Sequence, residues 1–414
     1  MKQSINNFLK SSAFKKRKGL SNFFFKMKNG QDVCIAYLGG SITLAEGWRV
    51  KTFEWFQKKY PSCRMKQINA GIGGTGSDLG IFRLEDEVLQ YDPDLIFVEF
   101  AANDTAVKPS DSSETETVYA AMEGIVRKIW LKNPSTDICF IYTVNTPMAE
   151  CLRSGKPCWT ADIMENIAVH YGIPSINVGI EIINQELAGK LVYRVERDSE
   201  EEKKIRETGK MIFSYDGVHP TLDDGHNIYT EIITSCISEM ENSRNQFEHI
   251  LKSPLSPNPW ENVEIISPDN LNLSPEWETV TWEDEGFKFE NSKKFKKYFK
   301  ADKAGANIKF KFKGTGFGIY CVFGLNSGQL EISIDNDKPF KVPLFDRYGH
   351  KYRIHYSLLK TKLPDTEHSA IIRLDSEEPD RVKLLGKPLE DPEKYKGPLA
   401  YLIGLLLLGK LNAR

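Results

Sequence analysis

Residues 33–43 read Val33-Cys34-Ile35-Ala36-Tyr37-Leu38-Gly39-Gly40-Ser41-Ile42-Thr43. An apolar run containing β-branched residues stops at two glycines, and a serine follows where the chain turns into a helix. A buried strand that ends in this way delivers a hydroxyl to the carboxyl edge of a sheet, where open α/β folds hold their sites. Glycines let the backbone approach closely and take unusual φ, and the N–H groups that open the next helix face an oxyanion. Taken alone, Gly-Gly-Ser is also a plain helix cap. The segments that follow decide between the two.

Beyond Ser41, Trp48 to Lys59 carries Val50, Phe53, Trp55 and Phe56 among charges, as an amphipathic helix ending before Pro61 does. Met65 to Ala70 reads as a second strand, and Gly71-Ile72-Gly73-Gly74-Thr75-Gly76 as a glycine-rich loop leading into a helix through about Gln90. After a turn at Tyr91-Asp92-Pro93-Asp94, Leu95 to Phe100 is continuous in apolar residues, the habit of a parallel strand covered on both faces. It ends at Ala101-Ala102-Asn103-Asp104. Val118, Met122, Ile125 and Ile129 recur at helical spacing within Glu114 to Leu131. Asp137 to Val144 is a fourth strand, Ala161 to Tyr171 a helix, Ser175 to Val178 a fifth strand, and Gly225 to Asn242 a closing helix. The charged segment Arg194 to Lys210 reads as an exposed helix, with a lid as the other reading. This alternation predicts a parallel sheet with helices on both faces and right-handed crossovers.

The texture changes after a stretch with prolines 254, 257 and 259, which reads as a linker over 246–261. Ile308-Lys309-Phe310-Lys311-Phe312-Lys313 alternates strictly, and so does Leu330-Glu331-Ile332-Ser333-Ile334-Asp335, with turns at Asn326-Ser327-Gly328 and Asp335-Asn336-Asp337. Short alternating strands predict an antiparallel β-sandwich of jelly-roll type over 262–414. Its aromatic residues Trp277, Trp282, Tyr320, Tyr352 and Tyr356 could line a sugar site, but a sandwich core or a domain interface is the preferred reading. The organisation expected is a basic lead-in over 1–30, an α/β domain over 31–245, the linker and the sandwich. A chain of 414 residues exceeds what one core usually serves, so two domains agree with its length.

Composition narrows the function classes. Apolar content of 40%, charged content of 27% and a net charge of −2 give no argument for nucleic acid or an anionic membrane surface. Lys15, Lys16, Arg17 and Lys18 form a local basic run without aromatic interleaving, which reads as a solvated tail. Leu399 to Leu408 is about half a membrane span and reads as a buried strand. Residues 1–30 lack the sustained apolar core of a secretory signal. The seven cysteines, an odd number at irregular spacing, form neither a disulfide framework nor a zinc pattern. A reducing, cytoplasmic compartment is the expectation.

Four segments, each at a strand end or in a loop, hold the residue types that acyl transfer requires. Ser41 is the candidate nucleophile. Asp216-Gly217-Val218-His219-Pro220 sets a carboxylate and an imidazole three residues apart in one loop, so that Asp216 can orient one ring nitrogen while the other faces the serine. A helix N-terminus with a solvated histidine is the alternative for this segment. A tetrahedral intermediate needs neutral donors already pointing at its oxyanion. The N–H groups of Gly74 and Ser41 and the side-chain amide of Asn103 are the candidates, against a packing glycine and an Asx-turn asparagine.

Together these segments resemble the SGNH hydrolases, the GDSL-like esterase superfamily. Gly39-Gly40-Ser41-Ile42-Thr43 matches the serine block, Asn69 to Gly74 the glycine block, Ala102-Asn103-Asp104 the asparagine block and Asp216 to His219 the histidine block. Gly40 stands where the family often has aspartate, and Ala102 where many members have glycine. The resemblance covers about residues 30–242 and implies a flavodoxin-like three-layer α/β/α domain that hydrolyses esters with a Ser41-His219-Asp216 triad and no metal or cofactor. Gly-Gly-Ser-Ile-Thr followed by Gly47-Trp48-Arg49 looks like SGNH proteins of bacterial glycan metabolism, many of them carbohydrate O-acetylesterases, and the attached sandwich resembles their accessory domains. An acylated carbohydrate or other small ester is therefore the expected partner, with no nucleic acid and no membrane span.

At the substrate, Trp48 is expected as an apolar wall or a sugar-stacking face, with a core tryptophan as its alternative. Arg49 and Asp104 are expected at sugar hydroxyls or in structural salt bridges, and His226 as a surface or structural residue. Three other readings compete: an acyltransferase using the same serine, a glycan-binding protein on a hydrolase scaffold, and a zinc deacetylase. The seven histidines show no His-x-x-His or comparable pairing that would favour the last.

Overall fold

Every residue of the strand Val33–Gly39 is buried, because a parallel strand with helices on both faces has no polar side to present. The computed structural model describes residues 13–105, 112–241, 246–335 and 337–412. The chain divides into two compact units, Met1–Glu261 and Asn262–Arg414.

The first unit is built on six strands, β1 (Phe14–Lys15), β2 (Val33–Gly39), β3 (Met65–Gly71), β4 (Leu95–Glu99), β5 (Asp137–Tyr142) and β6 (Ser175–Asn177), in the spatial order β1-β6-β5-β4-β2-β3. β2 to β6 run parallel, and β1 pairs antiparallel with β6. The register places Gly39 opposite Gly71 of β3 on one side and Glu99 of β4 on the other. The serine turn therefore leaves the sheet between the glycine-rich loop and the asparagine turn. Parallel pairing carries equivalent chain ends to one rim, which is why three motifs far apart in sequence emerge side by side.

The helix Trp48–Lys59 has the bounds read from the sequence. Ser77–Glu87, Ser112–Lys132, Trp159–Tyr171 and Gly225–Met240 fall within a few residues of theirs. The helices Thr146–Arg153 and Val178–Leu187 were not foreseen. Nor was a separate parallel pair, β7 (Leu191–Arg194) and β8 (Met211–Ser214). Strands of four residues are too short to show a period. Between them lies the helix Glu200–Glu207, which buries none of its residues and so is the exposed helix expected there.

Two boundaries need correction. Residues 1–12 of the expected lead-in lie outside the described residues, but 13–30 belong to the fold. Phe14 and Lys15 extend the sheet, Arg17 donates 2.8 Å hydrogen bonds to the Ile173 carbonyl and the Ser175 hydroxyl, and the helix Ser21–Lys28 buries Phe23, Phe24 and Met27. Likewise, the segment 246–261 is bound to the first unit rather than spanning freely. His249 stacks on Trp130 at 4.5 Å and sits 2.8 Å from the buried Asp137 carboxylate. The N–H groups of Leu255 and Ser256 each donate to Glu123 at 2.6 Å. Prolines break helices, but they do not prevent neighbouring amides from docking on a buried acid.

Among the described residues the strand pairs of the second unit are all antiparallel. Its strands are β9 (Val263–Ile266), β10 (Asn272–Leu273), β11 (Glu278–Val280), β12 (Tyr298–Ala301), β13 (Asn307–Phe323), β14 (Gln329–Ile334), β15 (Phe340–Pro343), β16 (Arg353–Lys360), β17 (Thr366–Leu374) and β18 (Ala400–Leu411). They form a β-sandwich around β13, whose first part pairs with β17 and whose second part pairs with β16, while β18 lies along its other edge. Alternation decides the faces: Ile308, Phe310 and Phe312 enter the core while Lys309, Lys311 and Lys313 face solvent. Leu399 to Leu408 is the buried run expected, contributing most of β18. Asn336 of the expected turn lies outside the described residues. Tyr320 is buried and Trp277, Trp282 and Tyr352 pack against buried apolar clusters, as the core reading of those four expects, while Tyr356 is half-buried opposite Tyr320 and belongs to none of these clusters.

Candidate active site

At the end of β2 the Ser41 Oγ lies 2.7 Å from His219 Nε2, and His219 Nδ1 lies 2.6 Å from Asp216 Oδ2. One imidazole thus connects an alcohol to a carboxylate. The His219 and Asp216 side chains are 52% and 55% exposed, so water reaches the pair.

The loop that carries the histidine is rigid for local reasons. It is pinched at its base by a bridge between Ser214 and Pro220. Asp216 Oδ1 accepts from the N–H groups of Val218 and His219, both at 2.8 Å, and from the Ser214 hydroxyl at 3.0 Å. Burial pushes the Asp216 carboxyl up, but the His219 ring and these N–H donors outweigh it and hold the group at about 2. It therefore stays ionised at neutral pH, able to fix the ring with Nδ1 protonated and Nε2 free to accept from the serine. Gly217 has φ of 81° and a Cβ there would lie 2.3 Å from the Thr146 hydroxyl, so only glycine fits. Its carbonyl accepts from Thr146 and from Tyr193, both at 3.1 Å.

The Asn103 amide lies against Gly40. A Cβ at Gly40 would come within 2.1 Å of Asn103 Oδ1, so the absence of a side chain at position 40 is what lets the amide reach the serine turn. Gly74 sits in a loop tied to the same turn: Ile72 N–H donates to the Gly39 carbonyl at 3.1 Å, and Ser77 N–H donates to Asp104 Oδ1 at 2.9 Å, next to Asn103. The face of Gly74 is open, with nothing within 4 Å of where a Cβ would stand. Among the described residues, the N–H groups of Ser41 and Gly74 and the Asn103 side-chain amide donate to no other protein group. Donors left unused in the serine turn and in the two loops that adjoin it suit a developing oxyanion.

The expected substrate contacts lie elsewhere. Trp48 is fully buried, packed edge-on against Tyr37 at 5.4 Å and Phe97 at 5.9 Å, and so cannot stack on a sugar. Arg49 is buried too, its Nε donating to the Thr43 carbonyl at 3.0 Å and its fork reaching Gln67 and the Leu44 carbonyl. It braces the turn after Ser41. Asp104 is buried under the glycine-rich loop, and burial, followed by the charge of Asp78, pushes its carboxyl up to about 8. Each side chain has an inward polar task that its position in sequence does not disclose. His226 is structural, as expected of one alternative: it is buried, with Nδ1 accepting from the Trp48 N–H at 3.1 Å.

Several residues escaped the sequence reading. Glu99 is fully buried behind the serine turn, its carboxyl accepting from the Thr43 hydroxyl at 2.8 Å, from the Thr143 hydroxyl at 2.5 Å and from the Gly40 N–H. Burial pushes it up to about 7, against the pull of those three donors. Arg83 is also fully buried and donates to the carbonyls of Gly39 and Ala70 at 3.0 and 2.6 Å, clamping the ends of β2 and β3. Asn145 caps the helix Thr146–Arg153 and donates from Nδ2 to the Ala102 carbonyl at 2.7 Å, steadying the Asn103 turn. The only advance signal was Glu99 itself, a charge inside an otherwise apolar strand. Among the described residues no three His, Cys, Asp or Glu side chains stand together to hold a metal ion, and no helix is long and apolar enough to cross a membrane.

Residues 37–226 match the model of the GDSL-like lipase/acylhydrolase family, a span that runs through all four loops of the site. The match spans most of the first unit. The GDSL-like unit and the sandwich together align with the crystal structure of a two-domain esterase active on acetylated mannans, co-crystallised with mannopentaose. The alignment covers 97% of this chain and 98% of the other, at a TM-score of 0.72 and 20% identity. A second crystal structure of a two-domain esterase active on acetylated mannans gives a TM-score of 0.71 at 21% identity, with the same coverage. An acetylxylan esterase from Geobacillus stearothermophilus aligns with 53% of this chain and 97% of its own, at a TM-score of 0.36 and 18% identity. No curated relative is similar enough in sequence to match. At such identities the likeness speaks to the fold, and the GDSL-like unit's chemistry rests on its own side chains.

Proposed function

We propose that the first unit is a serine esterase that removes O-acetyl groups from a carbohydrate through an acyl-enzyme. The observation that carries this reading is the hydrogen-bond chain Ser41–His219–Asp216, 2.7 and 2.6 Å in its two links, with the amide donors of Ser41, Gly74 and Asn103 left unused in the serine turn and the two loops beside it.

His219 Nε2 takes the Ser41 proton as Oγ attacks the ester carbonyl. The oxyanion is held by the Ser41 and Gly74 N–H groups and the Asn103 amide, and Asp216 stabilises the imidazolium. As the C–O bond to the sugar breaks, His219 returns the proton to the leaving oxygen, and acetyl-Ser41 remains. Water then gives a proton to His219 and its oxygen to the acetyl carbon. Acetate leaves and Ser41 Oγ recovers its proton.

The family supports hydrolysis in general. The acetylated-sugar substrate is inferred from the shared two-domain fold with the esterase active on acetylated mannans, and the exposure of His219 and Asp216 agrees with a substrate that approaches from solvent. The same exposure lets water reach the imidazole as an acceptor. The test is acetate release from acetylated mannan and acetylated xylan by the parent chain and by Ser41→Ala, with and without a free sugar acceptor. The parent should release acetate, with loss of about 1,000-fold or more in Ser41→Ala. Equal slow rates for the two would end the esterase reading, and acetyl appearing on the acceptor in place of acetate would make the enzyme a transferase.

A further inference from the structure

A carboxyl group buried without a cation is costly unless its hydrogen bonds do something that an apolar residue cannot. Glu99 is such a group. The two buried guanidinium groups bound to the serine turn are engaged elsewhere, Arg83 by the Gly39 and Ala70 carbonyls and the Glu87 carboxylate, and Arg49 by the Thr43 and Leu44 carbonyls and Gln67. Glu99 instead collects neutral donors from two directions. From the serine turn come the Gly40 N–H and the Thr43 hydroxyl, which flank Ser41 on either side. From the end of β5 comes the Thr143 hydroxyl.

What lies beyond Thr143 gives the arrangement its meaning. Two residues on, Asn145 holds the Ala102 carbonyl of the Asn103 turn, and Thr146 holds the Gly217 carbonyl of the histidine loop. Glu99 itself ends the strand that leads into Asn103, and its register partner is Gly39. One side chain therefore joins the turn bearing the nucleophile to the segment that braces both the oxyanion amide and the base.

We infer that Glu99 is a positioning residue for Ser41, holding the nucleophile turn at a fixed distance from the Asn103 and His219 loops through Gly40, Thr43 and Thr143. This rests on the esterase reading only for its kinetic consequence. Misplacement of a reacting atom by about 1 Å costs on the order of 100-fold in rate. Release of this tether therefore lowers the rate of attack while leaving distant substrate contacts alone.

The experiment compares Glu99→Leu, Glu99→Gln and Thr143→Val with the parent in the full chain. Glu99→Leu keeps the volume and removes every acceptor. Its kcat on acetylated mannan should fall about 10- to 100-fold with KM within about twofold. Glu99→Gln can accept at one end and donate to a threonine hydroxyl at the other, and should recover most of the loss. Thr143→Val, which leaves Glu99 in place and lies on the side away from Ser41, should lower kcat in the same direction. Combined with Glu99→Leu it should add little, as residues of one network do.

Hydrogen exchange of the 39–43 backbone, which needs no substrate, should quicken in Glu99→Leu and be restored in Glu99→Gln. Parental kcat in a folded Glu99→Leu, a loss confined to KM, or unchanged exchange over 39–43 overturns the inference. If Glu99→Leu does not fold, parental kcat in Thr143→Val does so. Failure of the esterase reading looks different: parent and Ser41→Ala then release acetate alike, and the exchange measurement still decides the tether.

Discussion

A methyl group added at position 40 would run into the Asn103 amide before anything else, with contacts of 2.1 to 2.9 Å to its three outer atoms. The obstacle is the end of a flexible side chain rather than backbone, so Asn103 can swing aside and the fold has little reason to suffer. The oxyanion site does. Gly40→Ala should lower kcat by about 100- to 1,000-fold, the usual effect of losing one oxyanion donor, while the urea midpoint stays near that of the parent. Steady-state kinetics beside a denaturation curve checks this. A variant with full kcat would remove Asn103 from the oxyanion site. Here the glycine leaves the room that the amide occupies.

Among the elements, the closing helix Gly225–Met240 does more than cover the sheet. Its His226 ring lies where a Cβ of Gly47 would be, and accepts from the N–H of Trp48 at the start of the helix Trp48–Lys59. Burial, then the charges of Lys51 and His219, push this imidazole down to about 4. The sign of its effect on stability follows. Above pH ~6.5 folded and unfolded chains both hold His226 neutral, and its contribution is fully present. As the pH falls toward about 4 the unfolded chain takes up a proton that the folded one refuses, so stability is lost across that window.

The carboxyls of Glu99 and Asp104, raised by burial, work the other way. They are neutral in the fold at low pH and lose stability as the pH rises through about 7 and about 8. The test is therefore a difference between variants. His226→Asn, which keeps an acceptor near Nδ1 and cannot titrate, should lose less stability than the parent between pH 7 and pH 4.5, by up to roughly 2–3 kcal/mol in urea unfolding. Parallel pH dependences for the two would show that His226 is not held neutral.

For the whole molecule, the question is where the first unit stops. Asp137 is buried, and burial pushes its carboxyl up against the pull of His249 and of the Phe23 and Asn22 groups. A chain cut after Asn245 loses His249, as well as the two N–H groups that serve the buried Glu123. Leaving one buried partner of such a pair behind typically costs about 3 kcal/mol or more. A chain ending at 245 should unfold at clearly lower urea than one ending at 261, with acetate release lost in step with folding. Equal midpoints would return 246–261 to the status of a linker.

The sequence by itself determined the layered α/β architecture and the antiparallel sandwich, and it singled out the side chains at 41, 216 and 219 that lie within hydrogen-bond reach of one another. Those rest on local physics: the period of apolar residues, the conformations open to glycine, and two functional groups three residues apart in one loop. What Trp48, Arg49 and Asp104 do, and that Glu99 matters at all, only the tertiary structure decided. A polar side chain takes its role from the donors and acceptors that face it, and here those come from strands and turns tens of residues away. No pattern along the chain records which of them a buried charge will meet.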